Sequence, residues 1–319
     1  VIYFFFYDII FLGDEMKKIL SILFWLGTLG LVILFRFEIR DYVNDYLFPI
    51  PEIVIENKNE SASNTDFSFV QITDDFFVDE KADIINALYT MLDSGWDNFT
   101  FYCEEEYENC FSDLNSVVND EALLNNINNF VHPFNSFSYF ETIVNTRDNG
   151  TIQVNITNLY SDEDKEVINN KVDAIMLQVI KDDMNDVEKL RAIHDYIIEH
   201  SIYDEDFDPL QPTNVYKANT ALGALIDGYG ICGGYADSFA IFLDRLEIKN
   251  YKIASSNHVW NYAFVNDAWY HFDLTWDDPV MSDGSNALYH NHFMIKTDEL
   301  LKIDTTEHTF DTNVYIEAK

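Results

Sequence analysis

Glycine is scarce in this chain, yet five of its eleven glycines (Gly223, Gly228, Gly230, Gly233 and Gly234) fall between residues 223 and 234. A backbone loaded in this way must turn sharply or approach another group closely. Directly afterwards Tyr235, Phe239, Phe242, Leu243 and Leu246 recur at helical spacing, which predicts a helix with one buried face. Cys232 stands where that helix begins. A helix N-terminus presents unpaired N–H groups and the positive end of the dipole, an environment that favours an anion such as a thiolate. The segment is not a phosphate loop, because no Gly-Lys-Ser/Thr follows it. A small buried hydrophobe is the competing role for such a cysteine. What separates the two is whether the chain also supplies a base and a group to orient it.

Both are found downstream. Asn257-His258-Val-Trp-Asn-Tyr-Ala-Phe-Val265 and Ala268-Trp-Tyr-His-Phe-Asp273-Leu-Thr-Trp276 read as two strands joined by a tight turn at Asn266-Asp267. With a two-residue turn Val265 pairs with Ala268, and His258 falls opposite Thr275. Asp273 is then diagonal to His258 on the same face of the sheet. A slip of one residue would put the two on opposite faces. Taken singly, His258 reads as a core histidine and Asp273 as a turn carboxylate; their arrival together with Cys232 favours chemistry. Three of the five tryptophans, Trp260, Trp269 and Trp276, lie in this hairpin and are expected to wall a cleft.

Composition narrows the partners. Asp and Glu number 56 against 19 Lys and Arg, a formal net charge of −37. Phosphate binding needs a basic surface, so nucleic acid is excluded as a partner. The aromatic content of 16% excludes a disordered acidic tail. Three cysteines are too few for a disulfide-built scaffold. Cys103 and Cys110, seven residues apart, are compatible with a disulfide or with two free buried thiols. Zinc is not expected there, since no second ligand pair accompanies them. His290 and His292 alternate on one face of a predicted strand and read as packing residues, because no third metal ligand is evident.

The N-terminal region carries Met16-Lys-Lys, an apolar run from Ile19 to Phe35, and Arg36. This pattern predicts an uncleaved signal anchor, a transmembrane helix over residues 16–40 with the body outside the cell. Residues 1–15 precede a methionine in the position of a true start and read as translated upstream sequence. Residues 41–67, with Pro49, Pro51 and a polar run, read as a linker. A mixed α/β domain is expected over 68–184, with a helix near 79–92, strands at 137–144 and 151–156 about Asp148-Asn149-Gly150, and a helix at 162–181. A helix over 187–200 then opens the last domain, 185–319.

Gly230-Ile-Cys232-Gly-Gly-Tyr235, Asn257-His258-Val-Trp260-Asn261 and Trp269-Tyr-His-Phe-Asp273-Leu-Thr275-Trp276-Asp277-Asp278-Pro279 resemble the transglutaminase-like superfamily, whose fold is related to the papain-like cysteine proteases. The helix Arg191-Ala-Ile-His194-Asp-Tyr196 followed by Tyr203-Asp204 resembles the lead-in of bacterial members. The resemblance covers roughly residues 185–295. It implies an α+β fold in which a cysteine-bearing helix packs on an antiparallel sheet. It also implies Cys232 as nucleophile, His258 as its base and Asp273 as the orienting carboxylate, with no cofactor. Tyr229 is the nearest candidate to complete an oxyanion hole. The activity implied is acyl transfer or hydrolysis at an amide bond of a protein or peptide, at the outer face of the membrane. A catalytically silent module for adhesion or envelope organisation is the alternative.

Overall fold

The computed structural model describes residues 14–36, 69–145, 150–208, 217–281 and 287–319. The expected linker at 41–67, most of the expected extension at 1–15, and Asp148 and Asn149 of the expected turn lie outside these residues. By internal contact the chain divides into Val1–Val54 and Ile55–Lys319.

In the first unit the apolar run forms helix α1, Asp14–Leu34. Its large side chains, Phe24, Trp25 and Leu34 among them, are exposed. Among the described residues no helix is long and apolar enough to cross a membrane, so the transmembrane helix expected over 16–40 is not found there. Beyond Lys18 the apolar part of α1 extends about 24 Å at 1.5 Å per residue.

The second unit is α+β. It begins with β1 (Phe77–Val78), α2 (Lys81–Asp93), β2 (Asn98–Cys103), α3 (Cys110–Val118) and α4 (Glu121–Asn129), followed by β3 (Phe137–Asn145) and β4 (Thr151–Asn158). These strands form one sheet in the order β1-β2-β4-β3. Cys103 at the end of β2 and Cys110 at the start of α3 are joined in a disulfide, with Cα atoms 6.0 Å apart. Gly150 opens β4 at a positive φ of 65°, and a Cβ there would meet the Cys103 Cβ at 2.9 Å.

Two helices follow, α5 (Asp162–Val179) and α6 (Asp186–His200). Each starts at a reciprocal capping pair: Ser161 with Asp164, and Asn185 with Glu188. Next come the short parallel pair β5 (Ile202–Tyr203) and β6 (Tyr229–Gly230), α7 (Cys232–Arg245), β7 (Asn250–Ala254), β8 (Val259–Val265), β9 (Ala268–Phe272), β10 (Phe293–Ile295) and α8 (Thr297–Ile303). The second sheet is antiparallel in the order β10-β9-β8-β7. Its core is shared: Ile168 and Val172 of α5, Leu190 and Ile193 of α6, and Phe239 and Phe242 of α7 pack with Phe272 of β9.

The β8–β9 register is the one the pattern predicts. Val265 pairs with Ala268 and Asn261 with Phe272. Asn266 and Asp267 both take positive φ, 51° and 61°. That is the type I′ geometry whose twist matches a two-residue hairpin.

One buried polar network ties the layers together. Asp237 on α7 accepts hydrogen bonds from Lys252 of β7 at 2.5 Å and from the Tyr160 hydroxyl at 2.6 Å. The same Tyr160 oxygen accepts from the Ala221 N–H at 2.8 Å. All of these side chains are buried. Removing one member of such a pair strands the other charge in low dielectric. Lys252→Met is therefore expected to cost about 3–5 kcal/mol in urea denaturation. A loss within ~1 kcal/mol, the range of an exposed ion pair, would show that the charges are in effect solvated.

Candidate active site

Cys232 is the first residue of α7 and is half-buried. The preceding Ile231 is extended and makes no side-chain cap, and among the described residues no side chain bonds the first-turn N–H groups, the end of a helix that attracts an anion. Two glycines make the approach possible. A Cβ on Gly233 would meet the Asn219 side-chain oxygen at 2.0 Å, and one on Gly234 would meet the Ala218 carbonyl oxygen at 2.3 Å. The segment at 218–220 therefore lies directly against the first turn of α7, held there by the Ile231 N–H donating to the Ala218 carbonyl at 2.9 Å.

His258, just before β8, and Asp273, just after β9, meet as the register requires. The ring Nε2 bonds Asp273 Oδ2 at 2.6 Å, and both residues are buried. Cys232 borders the same cavity as His258 and is among the groups that raise the ring. Since Nε2 is taken by the carboxylate, Nδ1 is the nitrogen left to the thiol. Asp273 is held further by His308, whose Nε2 reaches the same Oδ2 at 2.9 Å, and by the Trp276 N–H, which donates to Oδ1 at 3.2 Å. His308 is anchored in turn through Nδ1 to Asp304 at 3.2 Å.

The electrostatics follow from these contacts. Burial opposes charge on the His258 ring, but Asp273 and then Cys232 outweigh it and raise the ring to about 10. For Asp273 burial acts upward, and His258 followed by His308 overcomes it, holding the carboxyl well below the ordinary carboxylate range. Behind the ring the order is reversed. His271 is wholly buried, and burial aided by His308 lowers it to about 3. It accepts from Trp260 Nε1 at 3.0 Å and bonds Thr297 Oγ1 at 2.8 Å, which fixes a neutral tautomer.

Trp260 and Trp276 do not wall the cavity. Trp260 is buried and lies flat on His258, with ring centroids 5.6 Å apart and planes at 16°. Trp276 packs its edge on His308 and donates from Nε1 to Glu307 at 3.1 Å. Trp269 stacks on Tyr262. Tyr229 is exposed on β6 and does not line the cavity. That cavity, about 290 Å³, is bordered by Cys232, His258, Asn219, Ser255 and Asn257, with Asp237 and Lys252 also in its wall. Asn219 lies in the cavity wall beside the first turn of α7, with its side-chain oxygen nearest Gly233. The phenol of Tyr203, half-buried, is raised first by burial and then by the negative charge at Cys232, which places it near the sulfur. Neither Asn219 nor His308 stands in a sequence pattern that would have announced it.

The arrangement suits the activation of a thiol: an ionisable sulfur at an open helix end, an imidazole beside it, and a carboxylate fixing the far nitrogen. His258, Asp273 and His308 also place three metal-binding atoms within 4.8 Å of one another, all three residues buried.

Residues 173–274 match the family model of the transglutaminase-like superfamily. No curated protein matches the chain. Among solved structures, a TGase is 13% identical at a TM-score of 0.31, over 42% of this chain and 44% of that one. A candidate cysteine protease from Cytophaga hutchinsonii is 14% identical at 0.28, over 47% and 65%. A candidate protease from Parabacteroides distasonis is 10% identical at 0.26, over 47% and 40%. The chain thus spans less than two thirds of each of these three structures.

The His258–Asp273 pair gives stability a defined pH profile. His258 is raised from 6.5 to about 10, so its contribution is complete below about pH 6.5 and disappears as pH rises through 10. Asp273 is depressed from 3.8, so its contribution is present above that pH and disappears on acidification below it. The Tm difference between the protein and its His258→Gln variant should therefore be largest between about pH 4 and 6.5 and shrink toward pH 10. A difference that stays constant from pH 5 to pH 10 would contradict the pairing.

Proposed function

We propose that the transglutaminase-like domain carries out cysteine-dependent acyl transfer at amide bonds of a protein or peptide, with Cys232 as nucleophile, His258 as acid and base, and Asp273 as the carboxylate that orients the ring. The observation that carries this reading is the His258 ring held at 2.6 Å by a buried carboxylate while a half-buried cysteine borders the same cavity. A ring raised to about 10 holds a proton at neutral pH and keeps it ready for the leaving group.

In the first half-reaction the Cys232 sulfur adds to the amide carbonyl. The oxyanion that forms is met by the open N–H groups at the start of α7, with the Asn219 amide on the same cavity wall. His258 then gives its proton to the nitrogen, the C–N bond breaks, the amine departs and a thioester remains. In the second half-reaction His258 takes a proton from water or from an incoming amine, which attacks the thioester and releases the sulfur. Water makes the reaction a hydrolysis; an amine makes it a cross-link.

The disulfide between Cys103 and Cys110 favours an oxidising compartment, and we place the domain outside the cytoplasm on that ground. Trapping free thiols in native cells should then label Cys232 alone; labelling of Cys103 or Cys110 would refute this location.

Two assays test the chemistry, cleavage of a fluorescent peptide library and incorporation of a fluorescent primary amine into a glutamine peptide. At least one should give turnover. Cys232→Ala should abolish both that turnover and the uptake of iodoacetamide at this position. His258→Gln should lower kcat/KM by about 10²–10⁴-fold. Activity that survives Cys232→Ala, or none in either assay, refutes the reading and leaves a non-catalytic module.

A further inference from the structure

Away from the cysteine, a second group of imidazoles and carboxylates meets between α6 and the segment joining β9 to β10. His194 on α6 is wholly buried. Its Nδ1 bonds Asp195 Oδ1 at 3.0 Å, and its Nε2 bonds Asp277 Oδ2 at 3.2 Å. His290 reaches the same Asp195 Oδ1 through Nε2 at 2.7 Å. His194 Nδ1, an Asp195 carboxylate oxygen and His290 Nε2 all lie within 4.8 Å of one another. We propose that His194, Asp195 and His290 form a binding site for a divalent transition-metal ion of the zinc class, with Asp277 as its outer partner.

Three observations support this. The donor set is two imidazoles and a carboxylate, which suits zinc at about 2.0–2.2 Å per bond. Ligands at that radius in a tetrahedron stand about 3.3–3.5 Å apart; here His194 Nδ1 and His290 Nε2 stand 3.0 and 2.7 Å from Asp195 Oδ1, and all three atoms lie within 4.8 Å of one another. Asp195 and His290 are each about 30% exposed at the side chain, so the fourth position faces water. The outer shell is also built. A ligating histidine usually donates its other N–H to a carboxylate, and His194 has Asp277 in that place. Asp277 is itself held by the His292 backbone N–H at 3.0 Å and by His292 Nδ1 at 3.2 Å. Finally, a chain with a net charge of −37 attracts cations to any site it offers. The similar trio of His258, Asp273 and His308 is fully buried and belongs to the site at Cys232.

A metal here would pin α6 to the segment that carries Asp277 and Asp278. Asp278 accepts a hydrogen bond from Tyr235 on the cysteine helix, so the metal would steady the floor of the catalytic domain without touching substrate.

The test is zinc titration by calorimetry after chelator treatment, in the Cys232→Ser protein so that the free thiol contributes nothing, with Tm followed in parallel. One zinc per chain and a raised Tm are expected. His290→Gln, at a partly exposed position, should weaken binding at least about tenfold, and Asp277→Asn about 10–100-fold with all three ligands in place. His308→Gln should leave the affinity unchanged. Absence of binding, an affinity that survives His290→Gln, or one that is lost with His308→Gln overturns the proposal. The readout is metal affinity, so its failure is independent of any failure of the acyl-transfer reading.

Discussion

The buried carboxylate of Asp273 is the constraint around which the C-terminal half of the chain is arranged. An ionised carboxylate this deep in protein is tolerated only when its oxygens are fully engaged. Here they are engaged from three directions: His258 from the strand before the hairpin turn, the Trp276 N–H from the turn after it, and His308 from a segment beyond α8. Each partner fixes a piece of backbone. The same interaction therefore holds the ring in one orientation and closes the C-terminal segment over the sheet.

A second layer of support lies behind the ring. Trp260 packs flat on His258 and is itself oriented by His271, which is kept neutral by burial and bonded to Thr297 at the start of α8. The raised imidazole of His258 is thus backed by one that burial keeps neutral. On the opposite side the Asp237–Lys252–Tyr160 network anchors the cysteine helix to β7 and to the 217–221 segment. Cysteine and histidine come from different elements, and each is fixed independently before the two meet.

Much of this was legible in the residues. The period-two alternation and the two-residue turn determine the β8–β9 register, and the register brings His258 and Asp273 together. The glycine cluster announces the close approach at Gly233 and Gly234, and the helical repeat announces α7. What failed to show has a common physical cause. His308 and Asn219 reach the site from irregular segments, where no periodicity reports which way a side chain faces. Tyr229, close to Cys232 in sequence, is turned outward by the parallel pairing of β6 with β5. Trp260 shares a sheet face with His258 and so stacks on it instead of facing the cavity. His194 and Asp195, which meet His290 in space, lie almost a hundred positions earlier in the chain, where spacing could not announce them. The apolar run at the N-terminus does form a helix.

The turn at Asn266-Asp267 has an evolutionary corollary. Because it counts residues between the two halves of the acid–base pair, it behaves as a molecular ruler. A lineage could switch such a domain off by gaining or losing a single codon there, with every chemically reactive group intact. Loss of activity among descendants of this fold should therefore be sought in the length of their hairpins as well as in the identity of their side chains.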